Sequence, residues 1–400
     1  MGSIKKLLFI TWDGPQTSYM EGLFMPIFHE VMKQDPTIEF HVLQFTWAGE
    51  EKIQQVKKAA EDMGIVYNAV PIIKKPVAAV GSMLSLMMGS KNIARYIQKN
   101  GIDIVMPRST FPAFMVQRIR QKNLQVIFDA DGLPIEERVD FAGLKKGGWQ
   151  YNWLKSIERK ILLQADAVIT RSQKAIDVHV ESIDEQYRHK FSVVLNGRNS
   201  QHFIPDIAER EIARKELNVG DELLWIYAGS LGPQYCWEEM LQVFELSLKI
   251  GAAKFLVLTG NVQFAEDRIP DHLKDGMIVK SVAFERIPFY LKAADAAFAL
   301  RRPTYSMQGV APIKLGEYLL MGLPTIASSG IGDTEEILKS FPECFIFNHG
   351  MEQEMQQVAI TDWMSRAAQV SKQQIRDKAL EFFSIEKAAE SYIEVIEGIK

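Results

Sequence analysis

The sequence predicts an α/β protein built from two doubly wound domains in tandem. Three observations carry that expectation. Short apolar runs alternate with longer helical patterns, as right-handed βαβ units require. The alternation restarts after a polar break at Asn199–Asp206, which includes Pro205. The length of 400 residues also suits two cores of about 150–200 residues each.

In the first half, strands are expected at Leu7–Thr11, Phe40–Phe45, Ile65–Val70, Ile102–Met106, Gln125–Phe128, Ala167–Thr170 and Ser192–Leu195. Helices are expected between them at Tyr19–Lys33, Glu51–Met63 and Tyr151–Gln164. In the second half the strands are Leu223–Ala228, Lys254–Leu258, Met277–Lys280, Ala296–Leu300, Pro324–Ala327 and Cys344–Phe347. Its helices are Trp237–Ile250, Ile287–Ala294, Pro312–Met321 and Thr361–Leu380, with a last helix at Ile385–Ile399. The expected division is 1–200, 201–380 and a terminal segment 381–400. Two such domains would face a cleft between the carboxyl ends of their strands, where open α/β sheets bind ligands.

Composition narrows the function classes. Apolar residues make up 47% and charged residues 24%, the balance of a folded chain. A net charge of −4, from 46 basic and 50 acidic residues, leaves no overall electrostatic footprint for nucleic acid. Two cysteines, Cys236 and Cys344, allow one disulfide by count but fit a reducing, cytoplasmic compartment better. Neither they nor the seven histidines show the linear spacing of a structural zinc site, so no metal is expected. Leu7–Thr11 is too short for a signal-peptide core and reads as a buried first strand. Gly2 and Ser3 are not read as a lipidation signal. Pro76–Gly89, with Met83, Leu84, Leu86, Met87 and Met88, is shorter than the ~20 residues of a membrane span. It reads as a core helix or, because Lys74, Lys75 and Lys91 flank it, as a membrane-surface or acceptor-facing segment.

Gly309-Val-Ala-Pro-Ile-Lys-Leu-Gly-Glu-Tyr-Leu-Leu-Met-Gly-Leu-Pro324 is the stretch richest in chemistry. Pro312 suits the start of a helix, and Gly322 followed by Pro324 ends it. Lys314 and Glu317 share a helical face. They read either as a surface ion pair or as ligand groups, Glu317 accepting from ribose hydroxyls and Lys314 neutralising phosphate beside a helix N-terminus.

This stretch resembles the donor signature P-x-K-x-x-E-Y-x-x-x-G-x-P of the family 4 retaining glycosyltransferases with the GT-B fold of two Rossmann-like domains. Tyr227-Ala-Gly-Ser-Leu-Gly232, Phe255-Leu-Val-Leu-Thr-Gly260, Phe289–Asp295, Val194-Leu-Asn-Gly197 and Phe203 are similar to further parts of that family, so the resemblance spans roughly Ala165–Leu338. It implies an N-terminal acceptor-side domain, a C-terminal nucleotide-sugar domain and a last helix that returns to the first. It also implies sugar transfer with retention and without metal, from a UDP- or GDP-linked donor to a saccharide or lipid-linked acceptor, at or near the inner membrane face.

On that reading Gly229, Ser230, Gly309, Val310, Ala311, Arg301, Phe284 and Glu317 bind the donor, and Lys314 stabilises phosphate or sugar. Free amides in Ser328–Glu336 would cradle a diphosphate. Phe284 reads equally as core packing, and Arg301-Arg302 as solvated loop charges. On the acceptor side, Gly14 in the loop Trp12–Ser18 lets backbone approach a ligand, and Arg108 follows a later strand. Asp131, before Gly132, takes the position where the family often has a polar catalytic residue, or else makes an Asp-Gly turn.

Two departures bear on activity. Where the family's fuller signature has a first glutamate, this chain has Gly309, so the amides of Gly309–Ala311 or Gln308 would serve. The turn Gly232-Pro-Gln-Tyr-Cys-Trp237 lacks the usual basic residue, leaving Arg301, Arg302 or Lys314 to compensate. These motivate one rival, a nucleotide-sugar-binding scaffold; a second rival is a different GT-B reaction, such as epimerisation of a nucleotide sugar. No nucleophile elbow, Walker loop, kinase signature or GxGxxG fingerprint occurs.

Overall fold

The computed structural model describes residues 4–15, 18–74, 78–367 and 371–399. The expectations for Gly2, Ser3, Lys75 and the Pro76 end of the apolar segment lie outside the described residues, as do Gln16 and Thr17 of the first loop. The chain forms two compact units, one of Met1–Gly197 with Ile385–Lys400 and one of Arg198–Ser384.

The first unit holds a seven-stranded sheet of β1 (Lys5–Asp13), β2 (Ile38–Thr46), β3 (Val66–Pro71), β4 (Ile104–Pro107), β5 (Gln125–Asp129), β6 (Ala167–Thr170) and β7 (Phe191–Val193). Its order is β3-β2-β1-β4-β5-β6-β7. The second unit holds β8 (Leu223–Ala228), β9 (Ala253–Leu258), β10 (Met277–Lys280), β11 (Ala296–Ala299), β12 (Thr325–Ser328) and β13 (Phe345–Phe347). Their order is β10-β9-β8-β11-β12-β13. Every neighbouring pair is parallel. In each sheet the winding reverses once, between β1 and β4 and between β8 and β11. Ligands of doubly wound folds bind outside the carboxyl ends of the strands at such reversals.

The strands form where the sequence is apolar on both faces, because helices cover both sides of a parallel sheet. Leu7–Ile10 in β1 and Leu224–Tyr227 in β8 are fully buried. Phe9 packs on Phe24 and Phe28, with ring centroids 5.1 and 4.9 Å away. Trp225 stacks on Phe298 at 4.6 Å in the second core. The helix Ile385–Gly398 lies against the helix Met25–Gln34, where Tyr392 meets Phe28 edge-on at 6.0 Å.

Two helices differ from expectation. Tyr19–Lys33 is not one regular helix: a π-helical turn at Met20–Phe24 precedes the α-helix Met25–Gln34. Pro26 explains the break, since it has no N–H and its ring crowds the carbonyl one turn back. The helix expected at Thr361–Leu380 is two helices, Gln353–Ala367 and Lys372–Phe383. The first begins upstream of the expected start because Gln356, Ile360, Trp363 and Met364 are buried along one face. The apolar stretch ending at Gly89 belongs to a longer helix, Ala78–Asn100. Leu86, Ile93 and Ile97 are buried, while Val80, Met83, Leu84, Met87 and Met88 are exposed at helical spacing. Among the described residues, no helix is long and apolar enough to cross a membrane. Both cysteines are free.

Candidate active site

At the reversal in the second sheet, β8 ends at Ala228, whose N–H donates to the Tyr318 hydroxyl at 2.9 Å. That bond ties the strand to the helix Ile313–Leu320, which carries Lys314 and Glu317. Gly229 follows at φ +148°, a conformation L side chains rarely adopt. A Cβ there would lie 2.0 Å from Lys314 Cε, so the lysine stem crosses directly over the Gly229 backbone. Lys314 Nζ sits 4.8 Å from the Tyr235 ring centroid and 5.6 Å from that of Tyr227. Burial lowers its pKa, while Tyr235 favours its charge. Ser230 is exposed at the turn, and its carbonyl accepts the Tyr227 hydroxyl.

Arg301 follows β11 on the other side of the reversal. Its guanidinium lies 5.1 Å from the Tyr235 ring and donates to the Tyr235 hydroxyl at 3.3 Å. Its backbone N–H donates to Ser328 Oγ at 2.9 Å. Two cations, Lys314 and Arg301, thus bracket one phenol at a strand end. Tyr235 was not singled out in the sequence; it lies in the very turn that lacks a basic residue.

The expected sharing of a face by Lys314 and Glu317 does not make them an ion pair. The Glu317 carboxylate, in a residue only 6% exposed, accepts from Arg198 Nε at 2.8 Å and from Arg198 Nη2. A planar guanidinium matches a carboxylate better than a lysine does, and Lys314 is drawn towards the Gly229 turn instead. Both bonds use Oε1. Phe284 is 40% exposed, which corrects the core-packing reading. Its ring stacks on His202 at 6.0 Å and covers Arg198 at 5.6 Å.

The free amides expected in Ser328–Glu336 are mostly taken. Ser329 donates to Phe347 O, Gly332 to Met307 O and Thr334 to Ile331 O. Gly330 donates to the Glu335 carboxylate at 3.0 Å, so an internal anion occupies that amide. Of the amides at Gly309–Ala311, that of Val310 is bound to Met307 O at 3.2 Å, and Gly309 is buried at the end of a 3-10 turn. The cluster's resources for an anion are therefore its cations more than its backbone.

In the first unit the reversal lies between the ends of β1 and β4. A Cβ on Gly14 would lie 2.5 Å from the Trp47 ring, so packing against the indole accounts for that glycine. Arg108 donates to Asp129 Oδ2 at 2.9 Å and pairs with Asp131. Asp129, fully buried, also accepts from Arg171 Nη2 at 2.8 Å. Burial opposes the charge on Arg108, but Asp131 and then Asp129 more than offset it, raising its pKa. Burial pushes the Asp131 carboxyl up to about 6, with Asp129 adding to the rise and Arg108 opposing it. Ser109 and Asp131 hold φ of +64° and +54°. Backbone strain of this kind costs roughly 1–3 kcal/mol per residue and gathers at functional sites.

No family model and no curated protein sequence matches the chain. Its architecture does have counterparts. A glycosyltransferase from Rickettsia africae ESF-5 matches with a TM-score of 0.70 and 15% identity, over 99% of this chain and 98% of that one. The fold is that of the GT-B glycosyltransferases. Anabaena Alr3699/HepE, solved with UDP and glucose, matches with a TM-score of 0.68 and 12% identity, over 98% of this chain and all of that one (100%). WaaG, a glycosyltransferase involved in lipopolysaccharide biosynthesis, matches with 0.67 and 16% over 98% and 100%. Within this GT-B architecture, Gly229, Ser230 and Arg301 stand at the reversal of the second sheet, with Lys314 laid across it. Arg108 stands at the reversal of the first, beside Asp131.

Sequence reasoning missed Arg198, Tyr235, Asp129 and Arg171. Each acts through a partner distant in the chain, and no local pattern announces it. The fold also gathers Cys236, Glu239 and His349, whose potential ligand atoms lie within 4.8 Å of one another. That grouping is invisible in their linear spacing. The 790 Å³ hollow lined by Arg210, Arg214 and Lys372 is structural. Its arginines cap the carbonyls of Lys292, Ala293 and Ala294 and pair with Asp295.

Proposed function

We propose that this protein is a retaining glycosyltransferase that binds a UDP- or GDP-linked sugar in its second unit and transfers the sugar to a saccharide or lipid-linked acceptor. The carrying observation is the convergence of Lys314, Arg301 and Gly229 at one strand reversal, with Glu317 held by Arg198 on the same helix as Lys314. The two cations would receive the leaving diphosphate, a role that needs no metal ion. Glu317 Oε2, which neither Arg198 bond uses, would accept from ribose, and Phe284 would lie against the base. UDP and glucose in the HepE structure support a nucleotide-sugar donor. The acceptor side is assigned to the first unit, with Arg108 and Asp131. We assign the protein to the cytoplasm, at the inner membrane face.

Thermal stability with UDP, GDP or ADP tests the donor reading. A ligand at 100 times its dissociation constant stabilises by ~2.7 kcal/mol. One nucleotide should raise the melting temperature, and Glu317→Gln should reduce that rise while keeping an acceptor for Arg198. No rise with any nucleotide at millimolar concentration would overturn the proposal. Sugar product formed without added acceptor would identify an epimerase instead.

The raised carboxyl of Asp131 gives a pH prediction. An acid whose folded pKa exceeds its unfolded value loses stabilisation as pH rises from the unfolded value through the folded one, here between the ordinary carboxylate range and about 6. If Asp131 acts as a base, kcat/KM rises through that same limit of about 6. Asp131→Asn should abolish the rising limb; an unchanged profile would exclude the role.

The exposed stripe Val80, Met83, Leu84, Met87 and Met88, with Lys91 beyond it, supports peripheral membrane contact. Replacing Met83, Leu84, Met87 and Met88 by serine should abolish co-sedimentation with anionic vesicles and leave nucleotide binding intact. Equal sedimentation of both proteins would refute the contact.

A further inference from the structure

We propose that Cys236, Glu239 and His349 form a divalent metal site, with the chemistry of zinc, beside a cavity in the second unit that Glu239 and His349 line. The site is separate from the nucleotide reading and does not depend on it. Cys236 caps the helix Trp237–Ile250, Glu239 lies in that helix's first turn, and His349 follows β13. The Cys236 sulfur, a Glu239 carboxylate oxygen and a His349 ring nitrogen lie within 4.8 Å of one another. Sulfur, nitrogen and oxygen donors in one group suit zinc, which takes four ligands in a tetrahedron. Magnesium and calcium prefer oxygen alone.

The imidazole is oriented for this role. His349 Nε2 contacts Ser328 Oγ at 2.9 Å, and Nδ1 faces Glu239 Oε1 at 3.9 Å. Metal-binding histidines usually give their second ring N–H to an oxygen, which fixes the other nitrogen as ligand. With Nε2–H donated to Ser328 Oγ, the Nδ1 lone pair is left for the ion. On binding, a sulfur–metal bond replaces the S–H bond of Cys236 and the proton passes to solvent.

The fourth position has a place to open. Glu239 and His349 also line a cavity of about 250 Å³ with Gln242, Asn348 and Gln356. Gln356 is 7% exposed and its Oε1, facing no protein donor, is buried without a hydrogen-bond partner. Water in this cavity, bound to the ion, would meet that acceptor. Ser328 Oγ also accepts the Arg301 N–H at 2.9 Å, so the same hydroxyl would link the ion to the Arg301 loop.

The test uses the full chain, stripped with chelator and titrated with Zn²⁺ and Co²⁺. One equivalent of either should remain after dialysis, and cobalt should give a thiolate charge-transfer band in the near ultraviolet. Cys236→Ala should remove the band. Glu239→Gln and His349→Gln should each weaken binding at least tenfold, and Ser328→Ala should weaken it roughly 10–100-fold, as loss of a supporting hydrogen bond does. Circular dichroism identifies any variant that fails to fold, and the wild-type band still decides. No retained metal, a cobalt spectrum without the band, or unchanged affinity in folded His349→Gln would overturn the site.

Discussion

Asp129→Ala will destabilise the first unit by ~3–5 kcal/mol, the cost of leaving a buried ion pair with one partner missing. Asp129 is fully buried and is the shared acceptor of Arg108 and Arg171. Its removal leaves two guanidinium groups without that carboxylate. Arg171 has little in reserve: its Nη1 is already buried without a hydrogen-bond partner, and its Nη2 otherwise reaches the Tyr392 hydroxyl at 3.3 Å. The substitution also takes away the acceptor of the Asp131 N–H, 3.1 Å from Asp129 Oδ1, which helps hold Asp131 in its left-handed conformation. Asp129→Asn keeps oxygen for one arginine and should cost less. Urea unfolding of the three proteins measures both effects. A loss below ~1 kcal/mol for the alanine variant would show that water reaches the arginines, and that the cluster is not held by charge.

Gly229→Ala will weaken nucleotide binding at least tenfold, about 1.4 kcal/mol, by displacing Lys314. The new methyl would lie 2.0 Å from Lys314 Cε and 2.5 Å from its Nζ, and a flexible stem yields before a backbone does. Backbone strain at φ +148° adds a stability cost of about 1–3 kcal/mol. The two effects separate in a double-mutant cycle. Lys314→Ala should lose affinity without the strain. Gly229→Ala combined with Lys314→Ala should bind no worse than Lys314→Ala alone. Independent, additive losses in affinity would mean that the glycine serves the ligand directly, not through the lysine.

The strands were legible in the sequence because both faces of each sheet are covered, which makes Leu7–Ile10 and Leu224–Tyr227 uninterrupted apolar runs. The Pro26 break was not, since the apolar spacing around it continues without a gap and only the missing N–H marks it. Around the site, local grammar identified the Gly229 turn and the Lys314 helix. It did not show that Glu317 would meet Arg198, 119 residues away, nor that Glu335 would fold back onto the Gly330 amide. A glycine-rich turn announces permissive backbone; whether its amides stay open depends on acceptors that only the fold brings near. Phe284 illustrates the same limit, because an aromatic residue after a strand reads alike whether it packs inward or, as here, covers Arg198.

The helix Ile385–Gly398 belongs to the unit that also contains residues from the start of the chain, and this fixes an order of events during synthesis. The face of Phe28 that Tyr392 covers has no native partner when residues 1–197 leave the ribosome. About 200 more residues must follow, which at 5–20 residues per second takes roughly 10–40 s. During that interval the second unit, continuous in sequence, can complete its own core, while the first stays one helix short. The nascent chain therefore passes through a stage with its later half finished and its earlier half open. Chaperone engagement and proteolytic sensitivity should concentrate around the helix Met25–Gln34 until the helix Ile385–Gly398 is made.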